Sequence, residues 1–376
     1  MEIRHRPQLL YKSEKGKSYE ILAFPALLKK PSCLIILGAI DNLVYYLRNL
    51  TVEVGMSYGT KKQWILARRP EGIPDNREVM FQSAEIPATP AEHVLVENQY
   101  ISLDPANRQW MTEVPSYYPP IPIGDPIAAT TVSKVLESRS QDFQPGDIVV
   151  GLGGWQTHST LRADSLMKIP EDNEFPLHYY LSILGAVGLT PYFAIVDTAQ
   201  AKAGQTMLMS TAAGAVGSIG GQIAKILGLR VVGIAGTEEK CNWVVEELGF
   251  DDCINYRTST DMEADIKLKC PEGVDFYYDN VGGKILDAAL MNMNKNSTLL
   301  FCGTMSDYNT DHMGAGPQNY WQILARTITV KGYIISDYFH RFPEGQAQMA
   351  EWVKTDKIKF REHINEGIEN CLDTYN

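Results

Sequence analysis

The chain has 376 residues, 44% of them hydrophobic and 21% charged, with a formal net charge of −11. This length exceeds one ordinary core and predicts two domains of a soluble globular protein, while the acidic balance leaves no basic footprint for a nucleic acid partner. Six cysteines, at 33, 241, 253, 270, 302 and 371, include no C-x-x-C pair; they suggest neither a disulfide framework nor a structural zinc and fit a reducing compartment.

The first 59 residues carry eight Lys or Arg against five Asp or Glu, the opposite balance from the rest of the chain. Their apolar run "CLIILGAIDNLVYYL" (33–47) is short and interrupted by Asp41, too weak for a membrane span of about twenty apolar residues. It also begins too far from the start for a secretory signal. The expectation is an extension over 1–60 without an assigned role, no membrane partner and a cytoplasmic protein.

From Gln205 onward, short apolar runs alternate with helical segments. "QTMLMS", "RVVGIA", "DCINY", "VDFYYD", "STLLFCG" and "TITVKGYII" read as strands, most of them apolar throughout, as parallel strands covered on both faces should be. Between them, "GAVGSIGGQIAKILG" places Val216, Ile219, Ile223, Ile226 and Leu227 on one helical face. "EEKCNWVVEELG" and "GKILDAALMNM" follow as helices, with Gly228 and Gly249 where helices should stop. Six strands alternating with helices predict a doubly wound parallel sheet of the Rossmann type, with its ligand at the carboxyl ends of the strands near the first strand-to-helix turn.

That turn reads Ala212-x-Gly214-x-x-Gly217, with Ala215 and Val216 between the glycines. Gly214 lets the backbone approach a pyrophosphate, and Gly217 lets the helix pack close to the sheet. Alanine serves in the first position if no positive φ is required there. The second strand ends "GIAGT" without the carboxylate that would bind ribose hydroxyls. With Lys240 in the next helix and Tyr256 at the end of the third strand, this favours a 2′-phosphate and hence NADPH over NADH. Taken singly, a solvated lysine and an edge tyrosine are the simpler readings.

The segments "YISLDPANRQWM", "GLTPYFAIVDTAQAKAGQT", "AAGAVGSIGGQIAKILGLRVVGIAGTEEK", "YYDNVGGKILDAAL" and "CGTMSDYN" resemble the zinc-free medium-chain reductases, the group of prostaglandin, curcumin and alkenal double-bond reductases. The resemblance covers residues 61–376. It implies a β-rich GroES-like catalytic domain over 61–187, a Rossmann NADP-binding domain over 188–338 and a return to the catalytic domain over 339–376. It further implies NADPH-dependent reduction of the carbon–carbon double bond of a small-molecule enone or enal, in detoxification or small-molecule biosynthesis, and a homodimer by analogy.

Zinc dehydrogenases hold their metal with a cysteine and a His-Glu pair. Residues 60–190 contain no cysteine, the corresponding turn reads "IGDP", and His93, His158 and His178 lack ligand spacing, so no metal is expected. Carried over from the family, Tyr308 is the hydroxyl that donates to the developing enolate oxygen, and Asn280, Cys302, Gly303, Tyr333 and Ile334 line the cofactor cleft. Leu103–Arg108 shapes the substrate floor.

Three departures from the family pattern predict an altered substrate pocket: "PIAATTVSKV" after the "IGD" turn, His158 where tyrosine is common, and Ala186 where methionine is common. The chain also stops at "GIENCLDTYN", before a last strand and an asparagine near the cofactor that relatives carry. Two other readings stay open. One is a zinc-free quinone or carbonyl reductase; the other is a protein that binds NADPH without turnover.

Overall fold

The computed structural model describes residues 59–310 and 316–376, together with a separate antiparallel pair of two-residue strands, Tyr11–Lys12 and Ser18–Tyr19. The remainder of the extension, including the apolar run 33–47, lies outside the described residues. Among the described residues no helix is long and apolar enough to cross a membrane.

Strands Thr60–Leu66 and Val79–Glu85 pair antiparallel. A five-stranded antiparallel sheet follows, in the spatial order His158–Arg162, His93–Ile101, Thr131–Ser138, Ile148–Gly151 and Met167–Lys168. Its central strands alternate inward and outward, so Val94, Val96, Val135 and Val149 form one small core. A second core gathers Trp64, Leu66, Met111, Ile127 and Trp155 under the carboxyl-terminal turn, where Leu372 of the Cys371–Tyr375 helix packs. The Trp64 indole donates to Ile368 O at 2.6 Å. The Leu103–Arg108 segment is stitched rather than open: buried Asn107 donates to Ala128 O, and buried Arg108 donates to the carbonyls of Pro70 and Gly72.

The six strands expected from Gln205 onward form a single parallel sheet: Thr206–Met209, Arg230–Ala235, Asp252–Asn255, Val274–Asp279, Met293–Phe301 and Thr329–Gly332. Numbered in chain order, they lie 3-2-1-4-5-6, so the order reverses between the first and fourth strands, where an open α/β sheet forms its ligand crevice. Met207, Leu208 and Met209 are fully buried, because helices cover both faces of the first strand.

The glycine-turn helix runs Ala215–Ile226 and buries Ile219 and Ile223, as its periodicity requires. Ile226 departs from the expected face and is 36% exposed, at the last residue of the helix. Gly228 has φ 83° and ends the helix, with Leu229 N–H donating to Ala224 O. A helix at Met262–Lys269, capped by the Asp261 carboxylate on Ala264 N–H, was not expected from the apolar pattern. It buries Ile266 alone, so it presents no periodic stripe to read.

Candidate cofactor and substrate cleft

The first strand leaves the sheet at Ser210 and turns at Thr211, whose φ of 55° is the left-handed position of this loop. Ala212, in the place of the usual first glycine, is fully buried and outside the positive-φ region, so an alanine fits there without strain. Gly217 is the residue the packing requires. A Cβ there would stand 2.1 Å from Thr211 O, so the helix approaches the turn more closely than any side chain allows. Gly214 caps the helix with extended backbone and no side-chain bond, and no acid stands in the first turn. Ala215 and Val216 therefore open a helix whose N–H groups are left for a phosphate, as a dinucleotide needs.

Beyond the second strand, Thr237 caps the Glu238–Glu246 helix by accepting from Lys240 N–H at 3.2 Å. Lys240 is exposed, and Tyr256, after the third strand, is 43% exposed. The two segments meet: Asn255 Nδ2 donates to Glu238 Oε1 at 2.8 Å, and a Cβ on Gly236 would lie 3.2 Å from the Tyr256 ring. Arg257, which the sequence reading missed, extends over the Tyr256 ring with its guanidinium 5.9 Å from the centroid. A basic residue directly after Tyr256 was the available signal. Lys240, Tyr256 and Arg257 thus stand on the two segments that meet here, where the Glu238 carboxylate is engaged by Asn255.

Asp279 organises the crevice between the first and fourth strands. Its carboxylate accepts from Tyr277 Oη at 2.8 Å and from the N–H groups of Val281 and Gly282, both at 3.0 Å. Burial pushes this carboxyl above its usual range, against those hydrogen bonds. Asn280 is held beside it, its N–H donating to Ser210 Oγ and its side-chain amide to Ser210 O.

Cys302 and Gly303 follow the fifth strand, and both N–H groups donate to Asp279 O. Tyr278 Oη lies 3.5 Å from Cys302 Sγ. A Cβ on Gly303 would come within 3.1 Å of Tyr308 Oη and 3.2 Å of Asn280 O, so a glycine here lets the tyrosine hydroxyl reach the crevice. Burial raises the Tyr308 phenol above its usual value, which keeps it neutral and a hydrogen-bond donor. Tyr117, also missed, sets its ring edge-on to Trp110 with centroids 6.2 Å apart and is 54% exposed as a residue, while the surroundings of its hydroxyl, and then Tyr308, raise its phenol. Tyr333 is buried with no hydrogen-bond partner for its hydroxyl among the described residues, its ring 5.5 Å from that of Tyr338, and Ile334 follows half-buried.

The structure therefore brings Asn280, Cys302, Gly303 and Tyr308 together at the carboxyl ends of the fourth and fifth strands, and sets Gly214–Gly217 at the end of the first. Lys240 and Tyr256 stand at the outer rim. His158 opens an edge strand, with Nδ1 3.0 Å from Thr157 Oγ1. Among the described residues no group of three or more His, Cys, Asp or Glu is placed to hold a metal.

A doubly wound sheet with this turn, joined to an antiparallel β domain, defines a nucleotide-dependent oxidoreductase. Two family profiles match, one described as the N-terminal domain of oxidoreductase over residues 62–169 and one as zinc-binding dehydrogenase over 215–352. The NADPH-dependent curcumin reductase of Escherichia coli is 40% identical over 86% of this chain and 94% of that protein. The NADP(+)-dependent 2-alkenal reductase of Nicotiana tabacum is 36% identical over 83% and 92%. CurA of Vibrio vulnificus, solved in complex with NADPH, superposes with a TM-score of 0.78 at 35% identity, over 84% of this chain and 94% of that one. The chain belongs to the medium-chain dehydrogenase/reductase family, in the branch of the curcumin, alkenal and prostaglandin reductases.

Proposed function

We propose that this chain uses NADPH to saturate the carbon–carbon double bond of an α,β-unsaturated ketone or aldehyde. The observation that carries this reading is the convergence of a neutral, buried Tyr308 hydroxyl and Asn280 on Gly303, at the crevice where the sheet order reverses. Relatives named as curcumin, 2-alkenal and pulegone reductases support the substrate class.

When bound, NADPH supplies the hydride. The first N–H groups of the Ala215–Ile226 helix would hold its pyrophosphate, and Lys240, Tyr256 and Arg257 would hold its 2′-phosphate. Asn280, Cys302, Gly303, Tyr333 and Ile334 line its nicotinamide half. As negative charge gathers on the substrate carbonyl oxygen, Tyr308 donates a hydrogen bond to it, and the same phenol relays the proton taken up by the α-carbon.

We assign the chain an extension over 1–60, a catalytic domain over 61–187 and 339–376, and a nucleotide domain over 188–338, with Phe342, Met349 and Trp352 of the returning segment packed in one core with Met207 and Ile219. We place the protein in the cytoplasm as a homodimer. The sixth strand, Thr329–Gly332, is an edge of the parallel sheet with Val330 47% exposed, and Tyr320, Trp321 and Leu324 stand exposed beside it. A second copy pairing edge to edge would continue the sheet and cover these side chains.

The deciding experiment is NADPH oxidation with a medium-length 2-alkenal and an aryl enone, with products identified by mass. A gain of two hydrogens across the double bond supports the reading. A hydroquinone or an alcohol would instead mark a quinone or carbonyl reductase, and NADPH binding without oxidation a protein without turnover.

A further inference from the structure

We propose that Cys241 and Cys253 form a dithiol site that hydrogen peroxide closes to a disulfide, and that this closure weakens NADPH binding. The two sulfurs lie 2.9 Å apart and are free thiols in the structure. The other described cysteines make no such pair: Cys302 faces Tyr278, Cys371 lies in the Trp64 and Trp155 core, and Cys270 packs under the Met262–Lys269 helix. Cys253 is half-buried and donates its S–H to the Cys241 sulfur, a bond that opposes the effect of burial on Cys241 and adds to it on Cys253, so Cys241 is the thiol that ionises more readily and attacks first. Gly233 on the neighbouring strand lets the Cys253 sulfur pack closely against the backbone, since a Cβ there would approach Cys253 Sγ to 3.3 Å.

The pair joins the two elements that carry the phosphate rim. Cys241 is one residue beyond Lys240 on the Glu238–Glu246 helix, its N–H donating to Thr237 O. Cys253 is on the third strand, three residues before Tyr256 and four before Arg257. A disulfide bond of about 2.05 Å requires the sulfurs to close by roughly 0.9 Å and to adopt a torsion near a right angle. That closure draws the start of the helix against the strand and changes the spacing between Lys240 and the Tyr256–Arg257 pair. A charge-assisted site tolerates only about 0.5 Å of such change.

In the first step the Cys241 sulfur attacks one peroxide oxygen. An S–O bond forms as the O–O bond breaks, and the departing hydroxide takes up the thiol proton as water. In the second step the Cys253 sulfur attacks the sulfenic sulfur, S–S forms as S–O breaks, and a second water leaves with the remaining proton. The two sulfurs give up two electrons, and the peroxide is reduced to two waters. Burial raises both thiols above their usual value, which makes the attack slow and the site responsive to sustained oxidant.

The effect on NADPH rests on the reading of the 2′-phosphate site above, whereas the bond itself does not. The full chain is treated with excess hydrogen peroxide, alkylated, digested and weighed, and its affinities for NADPH and NADH are measured by protein fluorescence before and after dithiothreitol. The expected result is a Cys241 peptide joined to a Cys253 peptide, with the NADPH Kd raised about tenfold, as for loss of one charge-assisted contact. The NADH Kd should change less, dithiothreitol should restore both, and Cys253→Ser and Cys253→Val should abolish the response. Both thiols still alkylated, a bond without change in NADPH affinity, or an undiminished response in the Cys253 variants would overturn the proposal. In the reduced chain, Lys240→Ala tests the phosphate site separately, and equal loss for NADPH and NADH would count against that reading while leaving the mass result to judge the bond.

Discussion

Tyr308 shows how little of a residue's role its local sequence holds. In "CGTMSDYN" it is one of nineteen tyrosines, and only the resemblance singled it out; the missing side chain at Gly303 and the burial of the hydroxyl give it a place in the crevice. Tyr308→Phe should lower turnover a hundredfold to a thousandfold, the effect of losing an oxyanion donor worth about 2.7–4 kcal/mol, with NADPH affinity nearly unchanged. Unaltered kcat would remove the hydroxyl from the mechanism. Because burial raises this phenol, the protonated donor persists to higher pH than in free tyrosine, and its contribution is lost only as pH rises through the elevated value. A kcat profile should therefore show no loss assignable to Tyr308 below about pH 10; a Tyr308-dependent fall between 7 and 9 would contradict its burial. At the outer rim, Lys240→Ala and Arg257→Ala should each raise the NADPH Kd roughly tenfold or more and leave NADH little affected.

At the scale of elements, the glycine turn holds the crevice open through contacts, and these can be broken one at a time. Gly217→Ala would force a Cβ to within 2.1 Å of the Thr211 carbonyl, and neither the turn nor the buried helix can yield freely. Thermal unfolding should show a loss of about 1–3 kcal/mol, as for other overpacked sites, with weakened NADPH binding. An unchanged midpoint and affinity would mean that the helix can shift at little cost. Strand identities were legible because fully buried parallel strands read as apolar runs: "RVVGIA" and "VDFYYD" coincide with Arg230–Ala235 and Val274–Asp279. Helix ends were legible at Gly228, which adopts the positive φ that glycine permits. The Met262–Lys269 helix was not, since a single buried isoleucine makes no pattern and Asp261 acts through a cap rather than through periodicity.

For the whole molecule, the exposed edge at Thr329–Gly332 is where the proposed dimer can be tested. Val330→Lys places a charge on that edge and should convert a species of twice the chain's mass into a monomer in sedimentation velocity, with the unfolding midpoint of the isolated chain little changed. A dimer that survives would assign the contact to another surface. Apolar periodicity and the small residues after the first strand determined the doubly wound parallel sheet by themselves, because burial and backbone geometry are encoded locally in which residues can sit there, whereas the β-rich domain came from the family resemblance. The strand end "GIAGT", with no acid at its tip, together with Lys240 and Tyr256, favoured a phosphate before any coordinates. Only the tertiary structure decided that Thr211 rather than Ala212 takes the left-handed turn, that Asp279 pins the crevice, that Arg257 joins Lys240 and Tyr256, and that Cys241 meets Cys253. The last two depend on separate strands and helices being brought within a few ångströms by the 3-2-1-4-5-6 order of the sheet, and contacts between distant segments leave no period in the chain that carries them; the first two are local backbone and hydrogen-bond geometry that residue type alone does not fix.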